Sequence, residues 1–394
     1  MGLTPFLSEV IRATRAYAQR YWSDSCTYCI RNSWDRNSQT AGLWFRTKGC
    51  TWASKGSCLV CNYSSGPNTT SEQIIDYVKN GMKEFDEKLT YLLISPSGSM
   101  LDSNEVPIKA RDEIIKILAS TLHDGFGFET RPETINREII ENFQAQLNGR
   151  LKRVLLGIET VNRNYQRFCL NKELDQSICI NSFRILTENN VSPVPNILIG
   201  LPFLTEKENI SAAIESISWS IDHGAAYCYL FPVHIKDGTP LRVLYDKGHF
   251  RPPSLWALIE VMRYLEERCH ETLIRPSWYT SLGAYNVVES PYTCNKCFKK
   301  VVELFDHYDR WLDIKSLDKL FNFKCSCRDK WRENADIEDK NKPAMIERIF
   351  EGYRIIADEA NIPWEMWEDK IIYELNLSFS SDKRHGSEEV VYDN

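Results

Sequence analysis

Between about Thr90 and Phe231 the chain alternates short apolar runs with longer amphipathic stretches. The apolar runs fall at 89–94, 125–129, 154–158, 195–200 and 226–231, each the length of a buried strand. Beside and between them, 71–85, 108–122, 133–147, 175–189 and 205–223 read as helices. This alternation predicts an α/β fold with a parallel sheet of βα units. Right-handed crossovers curl such units into a partial or full TIM-like barrel. A helix over 253–271 and one further strand extend the pattern to about residue 285. Near the N-terminus, 9–21 carries few helix breakers, whereas 22–40 is polar and loop-like.

These changes of pattern suggest five regions. They are an N-terminal extension (1–40), a barrel core (41–285), a four-cysteine module (286–335), a helical segment (336–377) and a polar tail (378–394) without periodicity, expected to be disordered.

Composition narrows the class. The 394 residues are 43% hydrophobic and 26% charged, which supports an ordinary globular core without disulfide staples. No apolar run reaches the length of a membrane span, and the first ten residues lack a secretory pattern, so the expected location is cytoplasmic, with no membrane partner. A net charge of -6 argues against a bulk basic field for nucleic acid but leaves room for a local basic groove. Thirteen cysteines are many for a reducing compartment, so metal ligation or catalysis is the first reading.

The apolar stretch 43–45 leads into a loop that holds Cys50, Cys58 and Cys61, with seven and two residues between them. Thiolates on a short loop suit an iron-sulfur cube, because the backbone must wrap a compact inorganic core. Three ligands leave one iron open to chelate the amino and carboxylate groups of S-adenosylmethionine (SAM). The rival is structural zinc with a fourth ligand from Cys26 or Cys29. A second set, Cys294, Cys297, Cys325 and Cys327, offers two tight pairs, separated by a helical stretch over 298–320, that suit either a closed zinc site or a second, fully ligated [4Fe-4S] cluster. The single residue between Cys325 and Cys327 is unusual for zinc knuckles and tilts the reading towards a cluster. Cys169, Cys179, Cys228 and Cys269 sit singly in apolar or helical settings, as packing residues.

The long spacing of the first three cysteines resembles that of the archaeosine-synthesis radical SAM proteins, distant relatives of the Elongator catalytic subunit. Ser97-Gly98-Ser99-Met100, Glu129-Thr130-Arg131-Pro132-Glu133, Gly157-Ile158-Glu159-Thr160, Phe231-Pro232-Val233 and Arg251-Pro252-Pro253 are similar to landmarks of that family. The resemblance spans about residues 40 to 331. It implies a [4Fe-4S] cluster on Cys50, Cys58 and Cys61, and SAM contacts among Ser97, Gly98, Ser99, Glu129, Arg131 and Glu159. It also implies an external electron donor of flavodoxin or ferredoxin type and a 5'-deoxyadenosyl radical that abstracts hydrogen from substrate. The implied substrate is a nucleoside, nucleotide or tRNA, with carbon-nitrogen cleavage at a lysine-bearing deazaguanine as the family reaction.

The residues have blander readings too. Gly98 suits close backbone approach or an ordinary turn. Glu159 at the end of an apolar strand needs a partner, either SAM or a lysine or arginine. Glu129 and Arg131 share one face of a strand and bind SAM or pair with neighbours. His234 faces either the barrel mouth or the core. A radical SAM tailoring enzyme acting on a free nucleotide or natural-product intermediate is the nearest alternative function. A zinc-stabilised, non-catalytic binding protein is the alternative of a different class.

Overall fold

Along one strand, Val154, Leu156 and Ile158 pack into the main core, while Leu155 belongs to a smaller cluster with Leu93 and Val194. That period-two split separates the two faces of a curled sheet, with helices outside and a lumen inside. The chain is described from a computed structural model over residues 4–18, 27–35, 38–54, 56, 58–63, 68–86, 88–96, 98–268, 274–281 and 286–382.

The strands are β1 (Tyr28–Asp35), β2 (Ser38–Phe45), β3 (Tyr91–Pro96), β4 (Gly125–Thr130), β5 (Leu151–Glu159), β6 (Ser192–Ile199), β7 (Cys228–Pro232), β8 (Ile235–Lys236), β9 (Ile274–Pro276) and β10 (Val287–Glu289). One sheet runs β1-β2-β3-β4-β5-β6-β7-β9, and β8 pairs with β10 apart from it. From β2 to β9 every pairing is parallel; β1 is antiparallel to β2 at the edge.

The helices are α1 (Thr4–Ala18), α2 (Thr51–Ser54), α3 (Ser71–Met82), α4 (Ile108–Ala119), α5 (Arg137–Gln146), α6 (Gln176–Glu188), α7 (Glu206–Asp222), α8 (Pro240–Asp246), α9 (Leu255–Arg268), α10 (Phe298–Trp311), α11 (Ile314–Phe321), α12 (Ser326–Asn341), α13 (Met345–Glu359) and α14 (Glu368–Asp382). Helices α3 and α7 begin at capping boxes, Thr70 with Gln73 and Thr205 with Glu208, which satisfy the first free amides. Each predicted βα unit is present within a few residues of its expected ends. No helix among the described residues is long and apolar enough to cross a membrane.

Four expectations change. The stretch 22–40 is not all loop, because Tyr28–Asp35 forms β1; pairing with β2 along eight positions overrides its polar composition. The helical stretch 298–320 is two helices, broken at Leu312 with φ 52°. Helix α12 runs unbroken across the boundary expected at 335, and α10 and α11 pack Val301, Leu304, Phe305, Leu317 and Leu320 into the main core. The four-cysteine region is therefore part of the barrel's packing and has no separate core. Residues 378–382 continue α14, while 383–394 lie outside the described residues.

The two sheet edges meet through side chains. Arg275 on β9 donates to the Trp34 carbonyl at 3.0 Å and pairs with Asp35 of β1 at 3.4 Å and with Asp309 of α10 at 2.8 Å. A second core lies at the opposite end, where Phe6, Leu7, Val10 and Ile11 of α1 pack with Leu59 and with Tyr353, Trp364 and Leu375. Full burial of such side chains stabilises by roughly 1.5–3 kcal/mol each before ordering costs.

Candidate functional site

Strand β2 is the first parallel strand, and the cysteine loop leaves its C-terminal end. Cys50 stands just before α2, whose Thr51 amide donates to Asp102 Oδ2 at 2.6 Å and whose hydroxyl donates to Oδ1 at 2.8 Å. Asp102 also pairs with Arg131 at 3.1 Å, which ties the loop to the end of β4. Glu105 is fully buried and accepts from Thr47 Oγ1 at 2.5 Å and the Ser99 amide at 2.6 Å. Burial pushes its carboxyl up to about 7 against those hydrogen bonds. A Cβ at Gly98 would stand 2.5 Å from both Glu105 oxygens, so this carboxylate is what demands glycine there. Ser97 lies outside the described residues, as do Cys26 and Cys269.

Three buried cations and the partly buried Arg131 surround the cysteines. Arg15 of α1 donates through Nη2 to the Cys61 carbonyl at 2.8 Å. Lys172 is attracted by Cys58, Lys236 by Cys61, and Arg131 by Cys50. Burial raises the Cys50 thiol to about 11 and raises Cys58 as well, so both are protonated when no cation is bound. A donor set of three thiols inside a cationic ring fits a group that binds thiolates and carries negative charge overall, as an iron-sulfur cluster does. Cys29 stands on β1 in register with Trp44.

The lumen below the loop is a cavity of ≈ 570 Å³ whose walls include Trp44, Tyr63, Glu129, Tyr229, Phe231 and Trp278. Tyr63 follows Cys61 by two residues, so the cysteine loop and the cavity adjoin. Glu129 projects inward from β4 and accepts from Trp44 Nε1 at 3.4 Å; burial raises its carboxyl to about 7. Arg31 lies over both indoles, 5.6 Å from the Trp44 ring and 5.8 Å from the Trp278 ring.

The other expected residues are held by neighbours. Glu159 has φ 68° and pairs with Lys172 at 3.0 Å; Lys172 also donates to the Gly157 carbonyl at 2.5 Å. A left-handed glutamate at the end of a strand is strained backbone of the kind that clusters at functional sites. Arg131 is shared between Asp102 and Glu133. His234 is buried, with Nδ1 3.1 Å from Ser290 Oγ and Nε2 2.6 Å from the Trp278 carbonyl, and burial pulls its pKa down to about 4. It braces Trp278, itself at φ 51°, and makes no part of the barrel mouth.

Two further polar residues are only weakly marked in the sequence. Lys236 donates to Tyr63 Oη at 3.0 Å and lies 4.7 Å from the Trp278 ring; burial lowers its pKa to about 8. Asn196 on β6 has a buried Oδ1 with no hydrogen-bond partner among the described residues. A lysine two positions after a histidine in an otherwise apolar Pro-Val-His-Ile-Lys run was the one clue to Lys236.

The second cysteine set is tightly gathered. Its Sγ separations are 3.5 Å (Cys294–Cys297), 3.8 Å (Cys294–Cys325), 3.5 Å (Cys297–Cys327) and 3.4 Å (Cys325–Cys327), and these four thiols can hold a metal ion. A tetrahedron with metal-sulfur bonds of about 2.3 Å has edges of about 3.8 Å. The observed separations lie near that edge length. The expected tilt towards a cluster came from the short Cys325–Cys327 spacing. Cys325 is the extended N-cap of α12 and Cys327 its second residue, which brings both thiols to one point. Cys169, Cys179 and Cys228 are buried packing residues.

No protein-family model matches the chain. An uncharacterized protein of Methanocaldococcus jannaschii is 29% identical over 306 residues, covering 75% of this chain and 82% of that one. Archaeosine synthase subunit beta of Methanosarcina acetivorans is 26% identical over 313 residues, covering 77% and 86%. The Thermococcus kodakarensis protein of the same name is 25% identical, covering 70% and 84%. Among solved structures, Methanocaldococcus infernus Elp3 has TM-score 0.43 at 18% identity and covers 59% of this chain and 58% of its own. Queuine lyase from Clostridium spiroforme has TM-score 0.45 at 14% identity, covering 67% and 100%. The chain thus joins an open parallel barrel and a three-cysteine loop after its first parallel strand with similarity, over most of its length, to proteins named archaeosine synthase subunit beta.

Proposed function

We propose that the chain acts on a modified nucleoside within tRNA, breaking a carbon-nitrogen bond as in archaeosine formation. The observation that carries this reading is the cysteine loop set against an aromatic-walled lumen large enough for a base. Cys50, Cys58 and Cys61 would ligate three irons of a [4Fe-4S] cluster. When bound, the cluster supplies one electron to SAM, and the 5'-deoxyadenosyl radical so released takes a hydrogen atom from substrate.

The chain's own residues then have distinct tasks. Asp102 and Arg131 fix the start of the loop, while Gly98, Ser99, Glu129 and Glu159 line the side where SAM would lie. Trp44, Tyr63 and Trp278 offer flat faces on which a base can stack. For the second cysteine set we assign a single zinc ion with a structural role, on its sulfur spacing.

Charge distribution supports an RNA substrate despite the acidic total. Residues 291–332 carry ten Lys and Arg against six Asp and Glu, so this region is +4 and the remainder is -10. Lys296, Lys299, Lys315, Lys319, Lys324 and Lys330 are exposed and make no ion pair among the described residues. Exposed, unpaired lysines are what phosphate contacts use. The test is turnover of a tRNA bearing the modified base against the free nucleoside, with binding measured over a salt series. Turnover of tRNA, with affinity falling steeply as salt rises, supports the reading. Turnover confined to the free nucleoside refutes it and favours the small-molecule alternative.

A further inference from the structure

We propose that Arg15, on the N-terminal helix and outside the barrel, is a positioning residue that sets how readily a cluster on the cysteine loop accepts an electron. The inference rests on the cluster reading of Cys50, Cys58 and Cys61.

Helix α1 is held rigidly. Phe6 packs 5.5 Å from the Tyr353 ring and 6.0 Å from that of Trp364, and Leu7, Val10 and Ile11 are buried in the same cluster as Leu59 of the cysteine loop. From this anchored helix Arg15 reaches the loop, only 8% exposed, and its Nη2 donates to the Cys61 carbonyl at 2.8 Å. Its guanidinium thus touches the residue of one candidate ligand, on the loop that carries the other two. Lys172 and Arg131, by contrast, approach the loop while bound to the carboxylates of Glu159 and Asp102. Arg15 meets the loop at the Cys61 carbonyl oxygen.

Reduction adds one electron to a thiolate-ligated cluster that is already negative. A fixed, buried cation beside the thiolates favours the more negative state, and the effect is strong because little water screens it. Its removal therefore makes the cluster harder to reduce. Arg15→Gln keeps an N–H donor for the Cys61 carbonyl and removes the charge, while Arg15→Lys keeps a charge and a donor.

The experiment is an EPR-monitored redox titration of the anaerobically reconstituted full chain, with titanium(III) citrate as reductant and iron content measured in parallel. In Arg15→Gln, about tenfold less cluster should be reduced at a fixed donor potential, a shift of about 59 mV to the negative, with iron content unchanged. Arg15→Lys should stay near the wild-type potential. An unchanged potential in an iron-loaded Arg15→Gln variant overturns the proposal. If Arg15→Gln does not load, Arg15→Lys decides: wild-type loading and potential support a role for charge, and failure to load overturns it in favour of shape alone. A wild-type chain that takes up no iron and sulfide removes the cluster reading itself, a result separate from either variant's.

Discussion

Replacing Arg275 by Met should open the seam that closes the barrel. Arg275 is 5% exposed and contacts Asp309 through Nε at 3.1 Å and Nη2 at 2.8 Å, Asp35 at 3.4 Å, and the Trp34 carbonyl at 3.0 Å. Asp35 keeps Arg153 as a partner at 2.7 Å, so most of the cost falls on Asp309. Removing one member of a buried pair costs about 3–5 kcal/mol, because the other charge stays buried. Asp309 is three-quarters buried, so the lower figure of about 3 kcal/mol applies. Burial already raises the Asp309 pKa, and loss of Arg275 raises it further. In the variant its folded pKa thus lies above the unfolded value. Its protonated form costs nothing at acid pH, and the penalty grows as pH rises through the folded pKa. Urea denaturation followed by circular dichroism should show a loss of about 3 kcal/mol at pH 8 and about 1 kcal/mol less at pH 5. A loss below about 1 kcal/mol at pH 8, or one independent of pH, would refute the seam argument.

Three further outcomes follow from the site. Cys325→Ser should remove zinc and lower stability by on the order of 5 kcal/mol, a fraction of the about 10–16 kcal/mol that zinc gives isolated fingers; metal analysis should show iron at the first site unchanged. Lys172→Met should cost about 3 kcal/mol by leaving Glu159 unpaired at a strained φ, read by thermal denaturation, and Lys172→Met with Glu159→Gln should recover part of it. His234 has a folded pKa depressed from 6.5 to about 4, so its contribution is present above pH 6.5 and lost as pH falls through about 4. That window amounts to about 3 kcal/mol, and His234→Asn should flatten stability across it; an unchanged acid limb would show that other groups carry it.

The barrel strands were legible because each is buried on at least one face, as in β4, where Phe126 and Phe128 alternate with Gly127 and Glu129. Strand β1 was not, since Tyr-Cys-Ile-Arg-Asn-Ser-Trp-Asp is half-polar and owes its form to pairing with β2 and to the seam at Asp35. The break at Leu312 lacked a Gly or Pro to announce it. Within the candidate site, the cysteines were visible from spacing, but Arg15, Lys172 and Lys236 were not. A single basic residue carries no periodic signal, and only the folded chain brings these three, from α1, the turn after β5 and β8, to one loop. The gathering of the four thiols of the second cysteine set likewise shows only in sulfur-sulfur distances, which spacing in the chain does not fix.

If Cys50, Cys58 and Cys61 hold a cluster that opens SAM, the chain must take up iron and release 5'-deoxyadenosine. Anaerobic reconstitution with iron and sulfide, followed by measurement of 5'-deoxyadenosine released from SAM under reductant, tests it most directly. The expected result is about four irons per wild-type chain with 5'-deoxyadenosine formed, and neither in Cys58→Ala. Release of 5'-deoxyadenosine by Cys58→Ala, or a wild-type chain that binds zinc alone and leaves SAM intact, would contradict it.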